Sequence, residues 1–289
     1  MIANATDGAM QIRRMSGVAT AACLVCGVMS FALGTAAAPQ PIAKAELLVE
    51  QRMIAPGEPF LVGLRLTLAE GWHTYWRNPG DSGMALAIDW HLPPGFSHGP
   101  LEWPTPEVFR SAAAVTYGFK RHLLVLTTVT PPVELPIGTS IEVRATAEWL
   151  VCREICVPEM AELAVPLRVG ASAVEDLRSK TAFTAARALM PIVSPWPATY
   201  RLDQRRVQLA IDVGSDASVD GASARFYPYA GATIEHGAEQ TARVDGGRLW
   251  LEMKLADGAE VAPQPLSGVI IFALNNQSRA YEITADYIR

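Results

Sequence analysis

Apolar residues occupy every second position at Phe60, Val62, Leu64, Leu66 and Leu68, the two-residue period of a half-buried strand. The same period runs through Leu86, Ile88 and Trp90, and through Ile141, Val143, Ala145, Ala147 and Trp149. Pro93-Pro94-Gly95 and Pro131-Pro132 fall between these runs, so short strands alternate with turns as a β-sandwich requires. From about Ala171 the pattern changes: Ser172 and Glu175 have capping-box spacing, and Val174 to Met190 contain neither Gly nor Pro, which predicts a linking helix. Pro191, Pro195 and Pro197 then make a stiff connection. Alternation returns at Val207, Leu209, Ile211 and Val213, at Leu249, Leu251, Met253 and Leu255, and at Tyr281, Ile283 and Ala285. The pattern predicts an all-β protein with a β-sandwich over 39–170, a helix and Pro-rich linker over 171–195, and a second, smaller β-sandwich-like domain over 196–289. One continuous fold with a helical insertion is the alternative.

The N-terminal segment is read differently. An apolar run from Met15 to Leu33 follows Arg13 and Arg14 and precedes Gly34-Thr35-Ala36-Ala37-Ala38, the pattern of a signal peptide over 1–37. Pro39 blocks a cut directly before itself, which puts cleavage after Ala36 or Ala37. A retained membrane anchor is the competing reading, since the run is long enough to span. Thr20-Ala21-Ala22 departs from the residues that precede a lipidated cysteine, and Cys23-Leu24-Val25-Cys26 reads as part of the apolar run rather than as a redox motif. Removing about 37 residues leaves roughly 250, one large or two ordinary domains. Val269-Ile270-Ile271-Phe272-Ala273-Leu274 is strand-sized, so the expectation is a soluble, exported, periplasmic protein. A net charge of −5, with 18% charged residues and no Lys/Arg block, excludes a nucleic-acid partner.

Of the four cysteines, that leaves Cys152 and Cys156 for chemistry, in Trp149-Leu150-Val151-Cys152-Arg153-Glu154-Ile155-Cys156-Val157-Pro158-Glu159. In an oxidising compartment a close pair is a disulfide or a thiol pair kept reduced by a donor. A loop this short gains little chain-entropy stabilisation, and its tight geometry favours exchange over stapling. Arg153 favours a neighbouring thiolate and Glu154 opposes it. A structural disulfide and half of a soft-metal site, completed for Cu(I) by Met160 or a histidine, stand beside the exchange reading. Nothing in the sequence order brings His73, His91, His98 or His122 to the pair. A cysteine hydrolase is disfavoured, because two close thiols would oxidise first.

Gly71-Trp72-His73-Thr74-Tyr75-Trp76-Arg77-Asn78-Pro79-Gly80-Asp81-Ser82-Gly83, followed by the Trp149–Glu159 stretch, resembles the N-terminal periplasmic domain of the thiol:disulfide interchange protein DsbD family, in the branch that includes the copper-tolerance protein ScsB. The resemblance covers about residues 45–168. It implies an immunoglobulin-like β-sandwich whose pair, matched by Cys152 and Cys156, takes electrons from a thioredoxin-like or membrane donor protein and passes them to periplasmic disulfide-containing proteins. The family's best-known members space their cysteines further apart. Their aromatic-bearing cap loop corresponds to Trp103-Pro104-Thr105-Pro106-Glu107-Val108-Phe109. Their membrane and thioredoxin-like domains have no counterpart after residue 170, so electrons are expected from another polypeptide. A non-catalytic exported binding protein, with a protein or copper-handling partner, is the alternative function.

Candidate partner-binding or cap residues are therefore Trp72, Tyr75, Trp76, Trp103, Phe109 and Tyr117, aromatic types enriched at interfaces. The bland readings are a hydrophobic plug for Trp72, Tyr75 and Trp76, and core packing for Tyr117. Asp81 is a candidate to orient Arg77, with a solvated pair as the simpler choice. Phe226-Tyr227-Pro228-Tyr229 and Trp250 read as ordinary aromatics of the second domain. No metal or small-molecule cofactor is expected.

Overall fold

Where the sequence alternates, the chain is strand: Phe60, Val62, Leu64, Leu66 and Leu68 are buried, and Leu61, Arg65 and Thr67 between them are partly exposed. The computed structural model describes residues 41–214, 218–259 and 261–289. The proposed leader with Cys23 and Cys26 lies outside them. Among the described residues no helix is long and apolar enough to cross a membrane.

The first part contains β1 (Ala43–Val49), β2 (Gln51–Ile54), β3 (Phe60–Leu68), β4 (His73–Gly80), β5 (Ala87–His91), β6 (Ser97–His98), β7 (Glu107–Arg110), β8 (Val115–Lys120), β9 (His122–Thr130), β10 (Ser140–Cys152), β11 (Cys156–Val169) and β12 (Val174–Glu175). One sheet runs β1-β3-β9-β6, the other β12-β2-β11-β10-β4-β8-β7 with β5 also paired to β10. Leu64, Leu66, Leu123 and Val125 of the first sheet pack on Trp76, Ala147, Trp149 and Val151 of the second, closing an immunoglobulin-like sandwich. Each Leu or Val among them contributes about 1.5–3 kcal/mol on burial.

Two features of this sheet position the cysteines. β10 and β11 form an unbroken antiparallel hairpin from Ser140↔Arg168 to Cys152↔Cys156, which sets the two cysteines opposite each other at its tip. The other edge of β10 forks: Arg144–Glu148 pair with β5, and only Cys152 pairs with β4, through His73. Between the two, the Thr74 hydroxyl donates to the Leu150 carbonyl at 3.0 Å.

The helix, α1 (Lys180–Leu189), starts later than its sequence pattern predicts. Val174 and Glu175 instead add a short strand to the open edge of β2, because that edge offers backbone partners. Ser179 is the N-cap residue, yet its hydroxyl donates to the Val49 carbonyl at 2.6 Å and caps nothing. Phe183 and Ala186 seat α1 on Leu126.

The second part holds β13 (Ile192–Val193), β14 (Ala198–Asp203), β15 (Arg206–Asp212), β16 (Val219–Pro228), β17 (Thr241–Asp245), β18 (Arg248–Lys254), β19 (Leu266–Leu274) and β20 (Gln277–Tyr287). They form one sheet in the order β16-β19-β20-β14-β15-β18-β17, which curls until β16 meets β17 and β18. Tyr200, Leu209, Phe226, Ile270 and Phe272 fill it. The two parts share a seam: Tyr227 and Val269 join the first core, and the Asn78 amide donates to the Pro228 and Ala230 carbonyls at 2.8 and 3.2 Å.

Candidate functional site

Hairpin geometry decides which cysteine meets solvent. Cys152 and Cys156 form a disulfide around Arg153-Glu154-Ile155, where the Arg153 N–H donates to the Ile155 carbonyl at 3.0 Å. Val143, Ala145, Ala147, Trp149 and Val151 point into the sandwich, so Cys152 leaves β10 on the opposite face. It is nonetheless only 3% exposed, because β4 covers it there, whereas Cys156 is exposed.

Tyr75 supplies that cover. Its hydroxyl donates to Cys152 Sγ at 2.9 Å and lies 3.7 Å from Cys156 Sγ. Burial raises the pKa of this phenol, which keeps it a hydrogen-bond donor through the neutral range. Gly83, at φ 112°, lies against its ring: a Cβ there would stand 2.2 Å from the ring carbons.

His73 shares the face. It is the cross-strand partner of Cys152, stacks on Phe109 at 4.6 Å and 21°, and meets the edge of Tyr75 at 5.4 Å. On its other side it pairs with Lys120, whose ammonium lies 5.1 Å from the Phe109 ring centre. Burial first, and Lys120 second, hold the His73 pKa below the usual histidine value. Arg153 stacks over Trp72 at 5.3 Å. From here an open groove of about 790 Å³ runs past Trp72, His73, Phe109, Lys120, Arg121 and His122. On the neighbouring strand the Glu159 carboxylate accepts from the Ile42 and Ala43 amides at 2.6 and 2.9 Å and from Trp149 Nε1 at 3.1 Å, fastening the start of β1 to the hairpin.

The six aromatics singled out in the sequence divide. Tyr75 touches the sulfurs, Phe109 reaches the site through His73, and Trp72 flanks the hairpin tip. Trp76, Trp103 and Tyr117 are 0%, 8% and 2% exposed in the sandwich core, which leaves them no surface for a partner. Phe109 lies on β7 rather than in a loop. Asp81 does not orient Arg77: it accepts from the Val115 amide at 2.7 Å, and Arg77 lies 3.9 Å over Tyr229. Tyr227 and Tyr229 belong to the seam, Phe226 to the second core, and Trp250 carries Arg243 at 5.1 Å. Sequence order gave no sign of His73; only the register of β4 against β10 brings it to the cysteines. Among the described residues, no group of three or more His, Cys, Asp or Glu side chains gathers as for a metal ion.

Residues 44–167 match the family model described as "Thiol:disulfide interchange protein DsbD, N-terminal". These residues belong to the DsbD N-terminal family. Both cysteines and the whole Gly71–Gly83 stretch fall inside the match, so this DsbD-type part is, in general terms, a thiol:disulfide exchange module. Among solved structures, the N-terminal periplasmic domain of ScsB from Proteus mirabilis is similar at a TM-score of 0.62 and 17% identity, over 87% of this chain and 96% of that one. That likeness shows the fold, and its coverage extends beyond the DsbD N-terminal segment. A protein of unknown function from Porphyromonas gingivalis W83 aligns over 85% of this chain and 100% of its own at 13% identity, with a TM-score of only 0.24. No curated protein matches the chain.

Proposed function

We propose that the protein passes electrons through Cys152 and Cys156 between a thioredoxin-like or membrane donor protein and disulfide-bearing partners in the periplasm. The observation that carries this reading is the inequality of the two sulfurs: Cys156 is exposed, and Cys152 is buried under a hydroxyl donor 2.9 Å away. A donor thiolate attacks Cys156 Sγ, the new S–S bond replaces the old one, and the electron pair leaves on Cys152 Sγ, where Tyr75 stabilises the developing charge. A second donor thiolate attacks the donor sulfur of the mixed disulfide and releases Cys156 reduced. With a disulfide partner the steps run the other way, Cys156 attacking and Cys152 resolving.

Trapping tests the assignment. Cys152→Ser is expected to accumulate reductant-sensitive adducts through Cys156 in periplasmic extract, and Cys156→Ser to accumulate none. Absence of adducts from both variants would sink the exchange mechanism.

A further inference from the structure

Every turn of this exchange moves a proton on or off Cys152, and that residue is only 3% exposed. Burial favours the thiol over the thiolate, so the resolving attack needs an acceptor for that proton. Tyr75 touches the sulfur but holds its own proton too tightly to take another. The other ionisable groups around this face and its groove are Lys120 on β8, Arg121 after it, His122 at the start of β9, Glu107 on β7, Glu70 before β4, and Arg153 and Glu154 in the hairpin turn. None of these is the cross-strand partner of Cys152: Glu107 lies three strands from β10, its carboxylate accepting from the Lys120 amide at 3.4 Å, and His122 pairs with Thr67 of β3 in the other sheet.

His73 differs from all of these. It stands directly across from Cys152, and antiparallel partners on one face bring their Cβ atoms within about 4.5–5.5 Å. Its ring is held by the Phe109 stack, and its groove opens to solvent, so a proton taken from the sulfur has an exit. Its lowered pKa leaves the imidazole neutral, hence a base, at neutral pH.

We propose that His73 is the proton carrier of Cys152, accepting its thiol proton when Cys152 resolves a mixed disulfide and returning it when Cys152 leaves. In resolution the Cys152 S–H proton passes to the imidazole and the thiolate attacks Cys156 Sγ. The Cys156–partner bond breaks, and the electron pair departs on the partner sulfur, which takes up a proton from water. The imidazolium then discharges through the groove. This inference rests on the exchange reading above.

Ellman's reagent separates the two steps. With reduced protein, attack by Cys156 releases a first thionitrobenzoate, and closure by Cys152 releases a second. Between about pH 4.5 and about 8, the second phase of the wild type is expected to rise through a midpoint below 6.5 and level off. His73→Phe keeps a ring for the stack but has no base; its second phase should fall by about a hundredfold at neutral pH and climb with pH without a plateau. His73→Gln should do the same, and added imidazole should restore part of the rate to His73→Ala. A wild-type rate and plateau in folded His73→Phe or His73→Gln would overturn the role of His73. A wild type that releases one thionitrobenzoate and never a second would overturn the exchange reading itself.

Discussion

Tyr75 and Trp76 are neighbours on β4 and equally hidden, at 3% and 0% exposure, yet they serve opposite faces of one sheet. Tyr75 belongs to the outer corner, where its hydroxyl ends on a sulfur and the contacts lead to the exposed Cys156. Trp76 belongs to the inner face and the seam, where it packs near Tyr117 and Tyr229 and its indole N–H has no partner among the described residues. Two other polar side chains of the seam end on protein groups: Tyr117 shares a hydrogen bond with His236 at 3.0 Å, and Asn78 reaches two carbonyls of the second part. Burial therefore does not mark a functional aromatic. What its polar tip touches does.

Four substitutions or titrations press on this contrast. Trp76→Ala should have the largest effect, lowering stability by about 3–5 kcal/mol in urea titrations while the folded fraction opens its disulfide at the wild-type rate. Asn78→Ala removes the side-chain donor shared by the Pro228 and Ala230 carbonyls, of which Ala230 keeps the Thr233 hydroxyl at 2.9 Å, and should cost about 1–3 kcal/mol by the same measurement, again without touching the disulfide. Tyr75→Phe inverts the pattern: a stability loss of about 1 kcal/mol, but about tenfold slower opening by dithiothreitol, because the Cys152 leaving group loses its donor. Equal opening rates in Tyr75→Phe and wild type would collapse the distinction between the faces.

The smallest effect is a pH slope. Burial lowers the His236 pKa, so as the pH falls below 6.5 the unfolded chain takes up the proton before the folded one does. Stability is full above 6.5 and is lost on acidification down to the folded value. His73, shifted the same way, adds to this slope. His236→Gln should flatten the melting temperature between about pH 6.5 and about 5, by about 1 kcal/mol or less in stability.

Much of the fold was legible in the sequence because period-two alternation is a local signal. It located Phe60–Leu68 and Ile141–Trp149 as strands. The start of the helix was not legible, because the free edge of β2, a distant element, claims Val174 and Glu175. The aromatic cluster was legible as a cluster but not as two faces: parity separates Tyr75 from Trp76, and it acquires meaning only once Cys152 is known to leave β10 outward. His73 and the seam partners Tyr227, Tyr229 and His236 depend on strand register and on contacts far apart in the chain, which leave no trace in local pattern.

The fork in β10 has a mechanical consequence. Along Arg144–Glu148 the strand is held on both edges by continuous ladders, but at its cysteine end one edge keeps a single backbone pair and one hydroxyl contact. The tip of the hairpin is thus a cantilever, stiff at its root and weakly tethered at its free end. Lifting it from β4 separates Cys152 from Tyr75 and His73 without unzipping the sandwich. Amide protons from Glu148 toward Cys152 should exchange progressively faster, which would make the reactive end of the sheet its most readily opened part.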